Sequence, residues 1–128
     1  MPIEDASRED LEATARVVID RLREVGVHAF REIAHGGFGA EPGVEVRIDS
    51  QDDAGRGVYL EWNLGAEIHN ARVEAMLAQR FDDPIIWDSG AEQAAKTDEV
   101  AAILERAGVR TEDPENDFAP FALRVVSV

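Results

Sequence analysis

The chain contains no cysteine, a single lysine and no long apolar run. The absence of cysteine excludes a disulfide scaffold, a thiolate metal site and a cysteine nucleophile. No segment approaches the roughly 20 apolar residues that a membrane helix needs. Residues 1–5 have neither the basic region nor the apolar core of a secretory signal. These absences predict a cytoplasmic protein that does not bind membranes.

Basic side chains are scarce relative to acidic ones. The 128 residues include 27 Asp and Glu but only 13 Lys and Arg, so the formal net charge is −14. The arginines are scattered, whereas nucleic acids and anionic lipids are bound through clustered Lys and Arg. We therefore expect no nucleic-acid partner. Three explanations of the acidity stay open: solubility, attraction to a basic protein, and adaptation to high salt.

Hydrophobic periodicity predicts three helices. Residues 7–25 carry apolar side chains at alternating spacings of four and three, with Ser7 as N-cap and Gly26 as the stop. A second helix is predicted over residues 66–80. A third helix is expected to end before Gly108, and either Ser89 or Thr97 is its predicted N-cap.

The five predicted strands cover residues 27–34, 44–49, 57–64, 85–87 and 121–128. The second and third alternate apolar with polar residues and are joined by a short polar connection, which is typical of an antiparallel hairpin. The fourth is a short apolar run that includes Trp87, which we expect to be buried. The chain is thus predicted to be a single α+β domain, residues 1–128, in the order α-β-β-β-α-β-α-β. The expected architecture is a two-layer sandwich, with three helices on one face of a mostly antiparallel sheet of about five strands.

The polar residues of the alternating strands predict an open sheet face. Tyr59 lies among them, and tyrosine often anchors protein interfaces. An acidic connection follows at the end of this face. The predicted protein-binding residues are Glu45, Asp52, Asp53, Tyr59, Glu61 and Asn63.

The chemistry-bearing motifs that we searched for are missing. The three histidines lack the spacing of a helical metal site, so we predict no metal and no cofactor. The glycine-rich segment 35–43 lacks the known phosphate-binding patterns and is expected to be a flexible connection. In an alternative interpretation it is a lid with Phe38 at its tip. His35, Phe38 and His69 then define a possible pocket.

The predicted order of elements is similar to that of the N-acetyltransferase superfamily. In that family the helix after the third strand starts at a glycine-rich, arginine-containing loop that binds the coenzyme A pyrophosphate. The corresponding segment here, Asn63-Leu64-Gly65-Ala66-Glu67, has one glycine and no arginine. The resemblance implies a small acyltransferase-like enzyme with a pocket near residues 35–43 and a histidine as acid or base.

The leading prediction is a small acidic protein-binding domain. Its concrete form is an immunity-type or inhibitor-type protein that neutralises a basic partner. The absence of a catalytic motif and the net charge of −14 favour it over the enzyme. A self-associating subunit, homodimeric through the sheet face, is the third hypothesis.

Overall fold

The computed structural model describes residues 7–31, 41–49, 57–114 and 122–128. The elements in chain order are α1 (Arg8–Glu24), β1 (Ala29–Arg31), β2 (Gly43–Asp49), β3 (Gly57–Asn63), α2 (Ala66–Leu77), α3 (Pro84–Arg106), β4 (Arg110–Glu112) and β5 (Leu123–Ser127). The α+β class is confirmed. The order agrees with the predicted one as far as α2 and then differs, because α3 follows α2 directly.

Helix α1 has the predicted ends. The Ser7 hydroxyl accepts a hydrogen bond from the Asp10 backbone N–H at 3.2 Å, and the Asp10 carboxylate accepts one from the Ser7 N–H at 3.1 Å. This reciprocal pair is a capping box. At the other end Gly26 has φ +83°, and the Val27 N–H donates to the Leu22 carbonyl at 3.0 Å. The left-handed conformation favours glycine there.

The strands form one mixed sheet in the order β1-β2-β3-β5-β4. Only the β1–β2 pair is parallel, with Ala29 opposite Val44, so the sheet is mostly antiparallel as predicted. At the start of β2, a Cβ atom on Gly43 would lie 2.6 Å from His28 Cδ2 and 2.7 Å from the His28 carbonyl oxygen. The close approach of the backbone at Gly43 to His28 therefore requires glycine at position 43.

The core lies between one sheet face and helices α1 and α3. Helix α2 instead packs against α3, and Ala75 is its one buried residue. The largest fully buried apolar side chains are Leu11, Val18 and Leu22 of α1, Val44 and Val46 of β2, Val58 and Leu60 of β3, Leu104 of α3, Val109, and Val125 of β5.

The predicted buried strand at residues 85–87 is wrong, because these residues form the first turn of α3. Asp83 is the N-cap, and its Oδ1 accepts from the Ile85 N–H at 3.0 Å. Pro84 occupies the first turn, where its fixed φ suits a helix and its missing N–H costs nothing. Three apolar residues are too few for periodicity to distinguish a helix from a strand. Trp87 is consequently 71% exposed.

Both predicted N-caps of the third helix lie inside it. The Ser89 hydroxyl is buried and donates to the Ile86 carbonyl at 3.2 Å, and the Thr97 hydroxyl donates to the Gln93 carbonyl at 2.7 Å. The remaining strand, β4, lies in a part of the chain for which the sequence predicted neither a helix nor a strand. Although α3 has 23 residues, neither it nor another helix in the described ranges has the length and apolarity to cross a membrane.

Candidate functional site

The sheet face opposite the core carries the polar residues of β2 and β3. Glu45 lies directly opposite Glu61, and Arg47 lies directly opposite Tyr59. Their neighbours along each strand, such as Val46 and Leu60, point into the core. The alternation of the sequence therefore placed these four polar residues on the correct face.

This face is half-buried and its opposite charges are paired. Arg47 Nη2 lies 3.1 Å from Glu61 Oε2, and Arg47 Nε lies 3.7 Å from Glu45 Oε1. The Glu45 side chain is 16% exposed, and those of Arg47 and Glu61 are each 32% exposed. Two carboxylates directly opposite each other repel, and the shared guanidinium offsets that repulsion. The face is thus less negative than its two glutamates alone would make it.

A second arginine flanks Tyr59 on β5. Tyr59 is opposite Arg47 on one side and Arg124 on the other, so the three residues form a row across three strands. Arg124 Nη1 lies 3.6 Å from Glu112 Oε1 on β4. The sequence analysis missed this row, because the β3–β5 pairing joins segments some 60 residues apart and no local signal specifies it.

The other predicted binding residues are Asn63, Asp52 and Asp53. Asn63 is buried, and its Oδ1 accepts from the Gly65 N–H at 2.8 Å, just before α2 begins. The prediction that Asn63 lies on an open surface is therefore wrong. The side-chain carbonyl of Asn63 instead accepts from the Gly65 N–H, a backbone donor that would otherwise lack a partner at the start of α2. Asp52 and Asp53 lie outside the described residues.

Of the three residues predicted to line a pocket in an enzyme, the structure describes only His69. His35 and Phe38 lie outside the described residues, and His69 is on α2 and half-buried. A cavity of about 10 Å³ between the sheet and α3 has room for roughly one water molecule. It is too small for an acyl donor. Its lining residues are Val44, Leu60, Glu61, Trp62, Thr97, Val100 and Leu123.

A group of large apolar side chains is exposed on the α2–α3 hairpin. On α2, three of them have the spacing i, i+3, i+4, which places them on one face of the helix. A fourth is in the turn, and the fifth is in the first turn of α3. Leu77 is 81% exposed and Phe81 is 60% exposed. We name these residues the hairpin surface: Val73, Met76, Leu77, Phe81 and Trp87.

The hairpin surface is concentrated where the two helices meet. Met76 and Leu77 end α2, Phe81 is in the connecting turn, and Trp87 lies about 5 Å along the axis from the first residue of α3. The Arg80 N–H donates to the Ala75 carbonyl at 2.9 Å, which closes the end of α2. Four of the five side chains therefore lie within about one helical turn of the hairpin tip.

The segment that carries the hairpin surface is rich in acidic residues. Residues 66–92 contain six carboxylates and two arginines, so the hairpin carries a local excess of negative charge. Arg80 is itself paired with Asp83, with 3.4 Å between Nε and Oδ2. The six carboxylates belong to Glu67, Glu74, Asp82, Asp83, Asp88 and Glu92.

Known proteins do not identify this combination of surfaces. Among the described residues, no three carboxylate or imidazole side chains come close enough together to hold a metal ion. Comparisons with models of protein families, with curated proteins and with solved structures find no match to the chain. The implied resemblance to N-acetyltransferases also loses its support from element order, because no strand separates α2 from α3.

Proposed function

We propose that the protein is a small acidic protein-binding domain that neutralises a basic protein, in the manner of an immunity or inhibitor protein. One observation carries the proposal. Even if every Lys and Arg paired with a separate carboxylate, fourteen carboxylates would have no cationic partner on this chain. A basic protein supplies the missing positive charge, and complementary charge speeds encounter by roughly 10- to 1,000-fold at low salt.

The test begins with capture and ends with a purified partner. The tagged full chain is used as bait at low salt, and the captured protein is then purified and titrated against it. We expect a single stoichiometric basic protein whose association rate falls about tenfold or more between 0.05 and 0.5 M NaCl, because salt screens charges beyond a few ångströms. Addition of the chain is also expected to inhibit the activity of that partner. Binding that is independent of salt would contradict the proposal.

A control separates partner binding from adaptation to high salt. Thermal unfolding is measured in dilute buffer and in molar KCl, without a partner. If the acidity serves a partner, we expect KCl to raise the Tm no more than it does for an ordinary acidic protein. A large rise that is specific to salt would instead attribute the acidity to the environment.

The polar sheet face is the first surface to test for this function. The double substitution Tyr59→Ala and Glu61→Lys removes an anchor and reverses one charge, and we expect it to weaken partner binding. Arg47→Met is the matched control, because it removes the shared guanidinium and makes the face more negative. If the double variant binds the partner as tightly as the unchanged chain does, this face is not the binding site.

The acyltransferase hypothesis has a direct test of its own. The thermal stability of the full chain is compared with and without millimolar acetyl-coenzyme A. A ligand that binds the native state raises the Tm, and the rise grows with ligand concentration. We expect no rise, because the segment that corresponds to the pyrophosphate-binding loop, residues 63–67, has one glycine and no arginine. A clear stabilisation would favour the enzyme over the protein-binding domain.

A further inference from the structure

We propose that the hairpin surface is the apolar anchor that binds the basic partner, and that it accepts a segment with apolar side chains flanked by Lys or Arg. This inference rests on the proposed function and adds where the partner docks and what it presents. The surface consists of Val73, Met76, Leu77, Phe81 and Trp87, as defined above.

The first support is that these side chains lie outside the main core cluster. Helix α2 packs against α3 and buries Ala75, and it contributes no residue to the main core cluster. Trp87 is in the first turn of α3, and the buried residues of that helix lie further along, from Ser89 to Leu104. Scattered exposed apolar residues are common, but four large ones close to the tip of one helical hairpin favour an interaction site. Folding alone therefore does not explain why these positions are apolar.

The second support is the kind of residue exposed. Tryptophan, phenylalanine and methionine are enriched at protein interfaces, and a buried tryptophan is among the commonest energetic hot spots. Trp87 is 71% exposed, so a partner can cover most of its ring. The flanking residues of the hairpin surface would exclude water from that contact, as neighbours of hot spots do.

The third support is charge, which decides between possible occupants. Residues 66–92 contain six carboxylates and only two arginines, so a second copy of this surface would be repelled by its like charge. This disfavours a second copy of the chain. An anionic lipid surface is disfavoured for the same reason. A partner that presents apolar side chains flanked by Lys or Arg can cover the apolar side chains of the hairpin surface and pair with the carboxylates of residues 66–92.

The experiment uses a synthetic probe with the full chain. The probe is a fluorescent 18-residue amphipathic peptide with leucine on one helical face and lysine on the other. The control peptide has glutamate in place of every lysine. Anisotropy titrations give the Kd at low and moderate salt. We expect the lysine peptide to bind and the glutamate peptide to bind at least about tenfold more weakly, because its charge is repelled.

Variants then locate the binding site. The double variant Leu77→Ala, Trp87→Ala changes two exposed residues, so it is expected to fold normally and to weaken lysine-peptide binding about tenfold or more. Val25→Ala is the matched control, since Val25 is 60% exposed and lies at the end of α1, outside the hairpin segment. We expect Val25→Ala to leave the Kd unchanged.

Each contrary result has a distinct meaning. If the hairpin variant binds the lysine peptide as tightly as the unchanged chain does, the hairpin surface is not the binding site. Loss of binding in the Tyr59→Ala, Glu61→Lys variant would then place the site on the sheet face, and the proposed function would stand. If the unchanged chain binds neither peptide, the inference about the hairpin surface is overturned, and the proposed function is still decided by the capture experiment and its salt dependence. A mass near twice 14.1 kDa that returns to one copy in the hairpin variant overturns the inference in favour of self-association.

Discussion

The same substitution at two leucines tests the packing described above. Leu104 of α3 is fully buried in the core, whereas Leu77 at the end of α2 is 81% exposed. Leu104→Ala removes buried methyl groups and leaves a cavity, which costs about 3–5 kcal/mol. Leu77→Ala removes side-chain atoms that already contact water, so we expect a change within about 0.5 kcal/mol. Both residues are helical, and alanine is at least as good a helix former as leucine.

Urea denaturation followed by far-UV circular dichroism measures both free energies of unfolding. With a slope near 1.5 kcal/mol per molar urea, the Leu104→Ala midpoint is expected to fall by about 2–3 M. The Leu77→Ala midpoint is expected to move by less than about 0.4 M. Unchanged slopes are the control that both variants unfold as the parent does. Similar losses for the two variants would refute the reasoning, because the outer face of α2 would then be covered in solution.

Four further substitutions test the backbone geometry by the same denaturation assay. Gly43→Ala brings a Cβ atom within 2.7 Å of the His28 carbonyl oxygen and should cost about 1–3 kcal/mol, whereas Gly90→Ala, in open space inside a helix, should gain about 0.5–1 kcal/mol. A loss at Gly90 would contradict this comparison. Gln79 is the one described non-glycine residue with positive φ, at +60°, so Gln79→Gly should stabilise the protein by roughly 1 kcal/mol. No gain would mean that this turn is not left-handed. Ser7→Ala should cost about 1 kcal/mol by removing the capping box, and an unchanged midpoint would show that the cap does not contribute.

Local interactions made much of the fold predictable. The first helix was predicted within one residue of its observed ends, since its capping box and its left-handed Gly26 involve residues a few positions apart. Gly108 marks the end of α3 in the same way, with φ +86° and a hydrogen bond from the Val109 N–H to the Leu104 carbonyl at 2.8 Å. Alternation likewise assigned Val58 and Leu60 to the buried side of their strand.

The candidate sites were predicted only in part. Alternation correctly placed Glu45, Tyr59 and Glu61 on one face, because side chains of a strand alternate regardless of what packs on them. It did not reveal that Arg47 pairs with both glutamates, since that depends on the register between two strands. The hairpin surface was missed because an apolar residue such as Trp87 is by default predicted to be buried.

The sequence by itself determined the acidity, the absence of cysteine chemistry, both ends of α1, the end of α3 at Gly108 and the two-sided character of β2 and β3. Each of these depends on composition or on residues within about four positions of one another. Only the tertiary structure decided that β1 runs parallel to β2, that α2 packs on α3, that Asn63 is buried and that Trp87 is exposed. The reason is physical: burial of a side chain is set by what packs against it, and those elements come from distant parts of the chain.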